Sequence, residues 1–402
     1  MPYREPIPLV VAVRVCPDLK DKEKAFDRPL REWRRPDGML VFDTETRKDR
    51  TQRLTFGSYL FIVNGQWCKE SLFYGDDLPI RDHKILERYV ATINAQKRDE
   101  EYDLSLLTRH QFAEKLFRNV YKGRCLLVAF NFPFDISRVA CDFAIARGRF
   151  AGGFSLDLWS HAQQRHQFRP SVCLKHIDSK RALKGFTRSK NPDEEDLIPE
   201  GSTTGKQEED YVFRGHFLDL RTLAFALTDV GYTLEKACEE FSVEHGKQSI
   251  AQHGIVTSKY IDYNRRDVLA TSELAAKLLE EFDKHDINLQ ETKAYSPASI
   301  GKAYLRRMGI KPILQRQPDF PKKYLGYSQS AFFGGRTSAH IRKLPLPVVY
   351  TDFLSMYPTV NSLMGLWRFV TARKISVVEH CQHKIRTLLR RIAANPPHSI
   401  FT

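Results

Sequence analysis

Residues 125–130, Cys-Leu-Leu-Val-Ala-Phe, are an unbroken apolar run of strand length ending in Asn131-Phe132-Pro133-Phe134-Asp135. Such a run suits a strand buried on both faces, because a strand with one wet face alternates polar and apolar side chains. A sheet with that strand in its middle needs helices on both sides, so the run predicts an α/β fold with a mixed sheet flanked by helices. The neighbouring pattern supplies the rest. Residues 39–42, 54–63 and 67–74 read as three antiparallel strands, the last two joined by an Asn64-Gly65 hairpin turn. Helical periodicity runs over 80–93 and 104–120. A helix rich in Ala and Val is expected from 136 towards 145, a hairpin over 169–185, a strand at 217–220 and a helix over 234–241. The clearest helix is 257–282, whose three- and four-residue steps read Tyr260, Asn264, Asp267, Thr271, Leu274, Leu278, Phe282. Another is expected over 296–308, with Ser296-Pro297 as cap and first-turn residue.

The charge balance narrows the partner. Against 49 Asp and Glu stand 63 Lys and Arg, a formal +14 over 402 residues, which favours a polyanion such as nucleic acid. No run approaches the roughly eighteen apolar residues that a spanning helix needs. The stretch 7–15 contains Pro8 and Arg14 and reads as a strand, not a signal peptide. Seven cysteines without a Cys-x-x-Cys argue for reduced thiols in a cytoplasmic protein and against a zinc site. Arg28, Arg31, Arg34 and Arg35 cluster around Trp33, as a nucleic-acid contact or as a solvated edge. Residues 187–210 carry Pro192, Pro199, Gly201, Gly205 and many carboxylates without periodicity, the pattern of a mobile acidic loop.

Chemistry gathers at four carboxylates. In a strand, Asp43 and Glu45 share a face, where two like charges either sit in water or hold a hard cation through paired oxygens. Asp135 stands at a strand-to-helix junction, as an N-cap or a ligand. Asp267 lies on the apolar stripe of its helix, where an unpaired carboxylate is costly to bury. Tyr263 precedes it by one turn and can reach the same locality. Cleaving a phosphodiester requires an activated water, a stabilised oxyanion and a neutralised leaving oxygen, which two divalent cations held by converging carboxylates supply.

Phe42-Asp43-Thr44-Glu45-Thr46, Asn131-Phe132-Pro133-Phe134-Asp135 and Tyr263-Asn264-Arg265-Arg266-Asp267 resemble, in order, the three motifs of the DEDD-type 3′–5′ exonuclease domain of family B DNA polymerases. The resemblance implies an RNase H-like fold and two Mg²⁺ or Mn²⁺ ions. Asp43, Glu45 and Asp267 would hold one ion, and Asp43 and Asp135 the second. Tyr263 would orient the attacking water, while Thr44, Asn131 and Phe134 hold a single-stranded 3′ end. Asp219 is expected to cap the following turn and not to act as a ligand. A Lys assists the exonuclease in the protein-primed branch; Arg221 stands there instead, its role open.

Further on, Ala331-Phe332-Phe333-Gly334-Gly335-Arg336 resembles the Tyr-x-Gly-Gly element between exonuclease and polymerase in this family, closest to protein-primed members, and implies DNA contact at Gly334 and Gly335. Residues 348–358, with Asp352, Ser355, Tyr357 and Pro358, resemble the first palm motif. That likeness implies a metal ligand at Asp352 and nucleotide contacts at Asp352, Ser355 and Tyr357, with a turn that Pro358 ends. The fingers and second palm motifs of the family are missing from the chain. The expected organisation is therefore an N-terminal segment, 1–38; an exonuclease domain, 39–285; and a linker with an incomplete palm, 286–402. Two alternatives stand beside it. A partner chain could carry the missing polymerase motifs, or the protein could be a non-catalytic DNA-binding assembly module.

Overall fold

The computed structural model describes residues 34–96, 103–161, 164–165, 169–179, 181–187, 213–246, 253–330, 341, 344–349, 351, 355–377 and 382–394. The chain divides into two compact units, Glu32–Tyr304 and a second made of Met1–Arg31 with Leu305–Thr402.

The first unit is built on a six-stranded mixed sheet. Its opening strands are β1 (Gly38–Thr46), β2 (Leu54–Val63) and β3 (Gln66–Tyr74), paired antiparallel as expected. Asn64 and Gly65 both adopt positive φ, 49° and 76°, the backbone that a two-residue hairpin requires. Helix α1 (Ile80–Gln96) leads to β4 (Ser105–Thr108), which extends the sheet parallel to β3. Here the sequence expectation of one helix over 104–120 fails. Leu104, Leu106 and Leu107 fit a strand edge as well as a helical face. Thr108 then starts α2 (Arg109–Lys115) with a reciprocal capping box to Gln111, and the helix continues as a π-helical stretch, Leu116–Lys122.

The apolar run becomes β5 (Leu126–Ala129), buried throughout and parallel to β1. It ends in α3 (Phe132–Val139). The helix expected to reach 145 stops there, because Ala140 is extended (ψ 137°) and the chain enters β6 (Asp142–Ile145), all of whose residues are exposed. With β7 (Phe154–Asp157) and the hairpin β10 (Val172–His176) and β11 (Ala182–Phe186), β6 forms a four-stranded antiparallel sheet ordered β11-β10-β7-β6, while among the described residues β8 (Ser160–His161) and β9 (Gln164–Arg165) pair only with each other. The chain returns as β12 (His216–Asp219), parallel to β5, so that β12, β5 and β1 run the same way side by side. Helices α4 (Leu220–Thr228), α5 (Leu234–Glu240), α6 (Ser258–Asp283) and α7 (Pro297–Arg307) follow.

Alternation along β1 divides the core. Leu40 and Phe42 pack with Phe112, Phe132 and Ile136 on one face of the sheet, while Val41 packs with α4, α5 and α6 on the other. Apolar burial on both faces, at roughly 25 cal/mol per Å², is the main force holding the layers. The compact unit runs past 285 because Ala294 and Ile300 belong to the α6-side core and Glu291 is ion-paired to Arg35 at 3.1 Å. Arg35 also forks onto Asp283 at 2.9 and 2.6 Å, so this member of the expected basic cluster ties the entry of β1 to the end of α6. Arg34 is exposed near Asp37; Arg28, Arg31 and Trp33 lie outside the described residues, as do 188–210.

In the second unit, α8 (Ile313–Arg316), α9 (Lys322–Ser330), α10 (Met356–Leu363), α11 (Trp367–Thr371) and α12 (Gln382–Ala394) are short. Pro358 does not end a turn but sits in the first turn of α10, where a missing N–H costs nothing. Among the described residues no helix is long and apolar enough to cross a membrane.

Candidate active site

The three parallel strands deliver their carboxyl ends to one edge of the sheet. β1 ends with Asp43 and Glu45, β5 runs into Asn131–Asp135 by way of Phe130, and β12 ends with Asp219, in register with Ala129. Asp43 and Glu45 share the face of β1 that looks towards α6, whereas Thr44 points to the opposite face.

Asp43, Glu45 and Asp135 are each fixed by a residue from another element, and Asp267 by a residue of its own helix. Asn264 of α6 donates from Nδ2 to Asp43 Oδ2 at 2.7 Å, and its Oδ1 accepts from the Ser58 hydroxyl of β2 at 2.7 Å. This links β1, β2 and α6 through one fully buried amide. The Tyr260 hydroxyl donates to Glu45, and the Tyr263 hydroxyl to Asp267. On the other face Thr44 Oγ1 donates to Asp135 Oδ1 at 2.8 Å. Thr44 is itself 6% exposed, so its hydroxyl serves Asp135 and is not presented to solvent. Gly57 of β2, opposite Thr44, leaves no room for a side chain: a Cβ there would lie 2.5 Å from the Asp43 carbonyl oxygen and from the Phe73 ring.

The electrostatics reflect crowded negative charge. Burial pushes the Asp135 carboxyl up to about 7, with Asp219 and Glu45 adding to the rise and the Thr44 hydrogen bonds opposing it. Tyr263 is raised by burial and then by Asp267, Glu45 and Asp43; Tyr260 is raised by burial and by Glu45. The donor set is all oxygen, which fits Mg²⁺ or Mn²⁺. No three of these carboxylates bring ligand atoms within 4.8 Å of one another. That spacing occurs among the described residues at Glu244, His245 and Glu273, where both Glu273 oxygens accept from His245, the backbone bond measuring 2.9 Å.

Around the cluster, Asn131 is the N-cap of α3, its side chain exposed and making no cap bond. Asp135 sits in the first turn instead of capping it. Phe134 is half-buried, with the Arg138 guanidinium 4.6 Å from its ring centre. Asp219 caps α4 as expected, and Arg221 places its backbone N–H on the Phe130 carbonyl at 3.1 Å. Sequence reading passed over Tyr260, Asn264 and Ser58 as site residues. The stripe on α6 held the first two, but nothing local marks Ser58, whose role depends on β2 lying beside β1.

Ser355 precedes α10 in a left-handed conformation (φ 53°), and both it and Tyr357 are exposed. Asp352, Gly334 and Gly335 lie outside the described residues. Comparison with known proteins finds no matching family model and no matching curated protein.

Proposed function

We propose that the protein is a metal-dependent 3′–5′ exonuclease acting on DNA, built on an RNase H-like domain and corresponding to the N-terminal portion of a family B DNA polymerase. The observation that carries this reading is the convergence of Asp43, Glu45, Asp135 and Asp267, from three elements, at the carboxyl edge of the parallel strands, with Tyr263 on Asp267. The sheet order β3-β2-β1-β5-β12, with β2 alone opposing both its neighbours, supports the fold assignment. The sequence motifs support the family.

Divalent cations bound there would activate water and neutralise the leaving oxygen. Asp43, Glu45, Asp135 and Asp267 would hold them. Tyr263, kept protonated by its surroundings, can offer its hydroxyl to orient a water while Asp267 fixes the ring's direction. The exposed Asn131 amide and the Phe134 ring, backed by Arg138, give a terminal base something to bond to and stack on. The formal +14 favours the phosphate backbone.

The test uses the full chain with 5′-labelled single-stranded DNA. Mononucleotide release from 3′ ends with Mg²⁺ or Mn²⁺, stopped by EDTA and by Asp43→Ala/Glu45→Ala, is expected; equal rates for wild type and double variant would sink the reading. A second reading, polymerisation shared with a partner chain bearing the missing motifs, is favoured by α10 and α11, which bury none of their residues. Primer extension appearing only on mixing would support it.

A further inference from the structure

Lys184 lies in β11 of the four-stranded sheet, yet its side chain is 3% exposed and its Nζ sits 3.6 Å from Asp219 Oδ2, itself 4% exposed. A buried ammonium is expensive unless its hydrogens are used. Lys184 donates to the Ala182 carbonyl at 3.3 Å and is ion-paired with Asp219, and its Nζ lies 5.7 Å from the centre of the Tyr295 ring. The second Asp219 oxygen, Oδ1, accepts from the Thr222 backbone N–H at 3.4 Å. Both oxygens of a fifth carboxylate at this edge are thus engaged by protein groups, although Asp219 is close enough to raise Asp135.

We propose that Lys184 is a positioning residue that holds Asp219 out of the cation cluster, so that the ions meet only Asp43, Glu45, Asp135 and Asp267. The inference rests on the metal-dependent reading above. Without the ammonium, Oδ2 of Asp219 loses its ion pair, and its ionised form is then one that a divalent cation can compensate. Asp219 would then compete with Asp43, Glu45, Asp135 and Asp267 for a bound cation. Binding tightens while turnover falls, a combination that loss of packing does not produce.

The experiment titrates Mn²⁺ into the full chain, reading free Mn²⁺ by electron paramagnetic resonance, with 3′-end hydrolysis and thermal unfolding measured on the same samples. Lys184→Met is expected to bind Mn²⁺ about tenfold more tightly and to hydrolyse about tenfold more slowly, the scale on which outer groups tune metal sites. Lys184→Met/Asp219→Asn removes the whole pair, and both readouts should return to within about threefold of wild type. Should the single variant fail to fold, the double variant decides: retained Mn²⁺ binding supports the proposal, and lost binding makes Asp219 a ligand and overturns it. The proposal also falls if Lys184→Met matches wild type in both readouts, or weakens Mn²⁺ binding without repair by Asp219→Asn. If Mn²⁺ binds and shifts as described but no nucleotide is released, the exonuclease reading fails alone; if wild type binds no Mn²⁺, both fail.

Discussion

Helix α6 and helix α10 both carry a motif tyrosine, and they treat it in opposite ways. On α6, Tyr260, Tyr263, Asn264 and Asp267 lie in a continuous buried face, each tied to β1, β2 or a neighbouring turn. On α10 none of the residues is buried, and Tyr357 is 57% exposed. Burial changes what a side chain can do. A carboxylate withdrawn from water beside other carboxylates is raised, as Asp135 is. The difference teaches that a motif is chemically poised only where the sheet and helix around it exclude water.

That contrast can be broken by experiment. The largest effect is expected from Asp43→Ala/Glu45→Ala, with 3′-end hydrolysis reduced at least about 10³-fold, since residues acting as a unit fail together. Tyr263→Phe comes next. It removes the hydroxyl and keeps the ring, so turnover should drop about 10²-fold with unfolding temperature nearly unchanged. Gly57→Ala should destabilise the Glu32–Tyr304 unit by about 2 kcal/mol in denaturant unfolding, because the added methyl must displace the Asp43 carbonyl or Phe73. If Gly57→Ala is silent, the close packing beneath Asp43 is not what holds it.

The pH dependence sharpens the same point. Asp135 stands at about 7 in the folded protein against 3.8 for an ordinary aspartate, so its ionised form opposes folding. Its contribution to stability is full below about pH 4 and is lost as pH rises through about 7. A bound cation favours the ionised form. The rise in unfolding temperature on adding Mn²⁺ should therefore be larger at pH 8 than at pH 5; an equal rise at both would detach Asp135 from the cation. The smallest effect is expected at Tyr357, where Tyr357→Ala should change stability by no more than about 0.5 kcal/mol.

Much of this was legible in the chain before folding. The apolar run at 125–130 marked a strand inside the sheet, second from its edge, the Asn64-Gly65 turn marked the β2–β3 hairpin, and the α6 stripe was read residue by residue. Failures came where the local signal was ambiguous. Residues 104–108 and 142–145 are short apolar stretches that periodicity assigns to helix as readily as to strand, and only pairing with β3 and β7 decides them. In the site, the four carboxylates were visible because their motifs are local. Ser58, Gly57 and Lys184 were not, because each acquires its role from a neighbour distant in sequence.

The Asn264 to Asp43 hydrogen bond spans 221 residues. Contacts that distant form late, after the loop between them has closed and its entropy cost has been met. During synthesis β1 and its two carboxylates emerge long before α6 exists. A nascent chain thus holds Asp43 and Glu45 without their amide and hydroxyl partners. The acidic site is assembled only when α6 docks, which makes its hydrogen-bonded form a marker of completed folding in this unit.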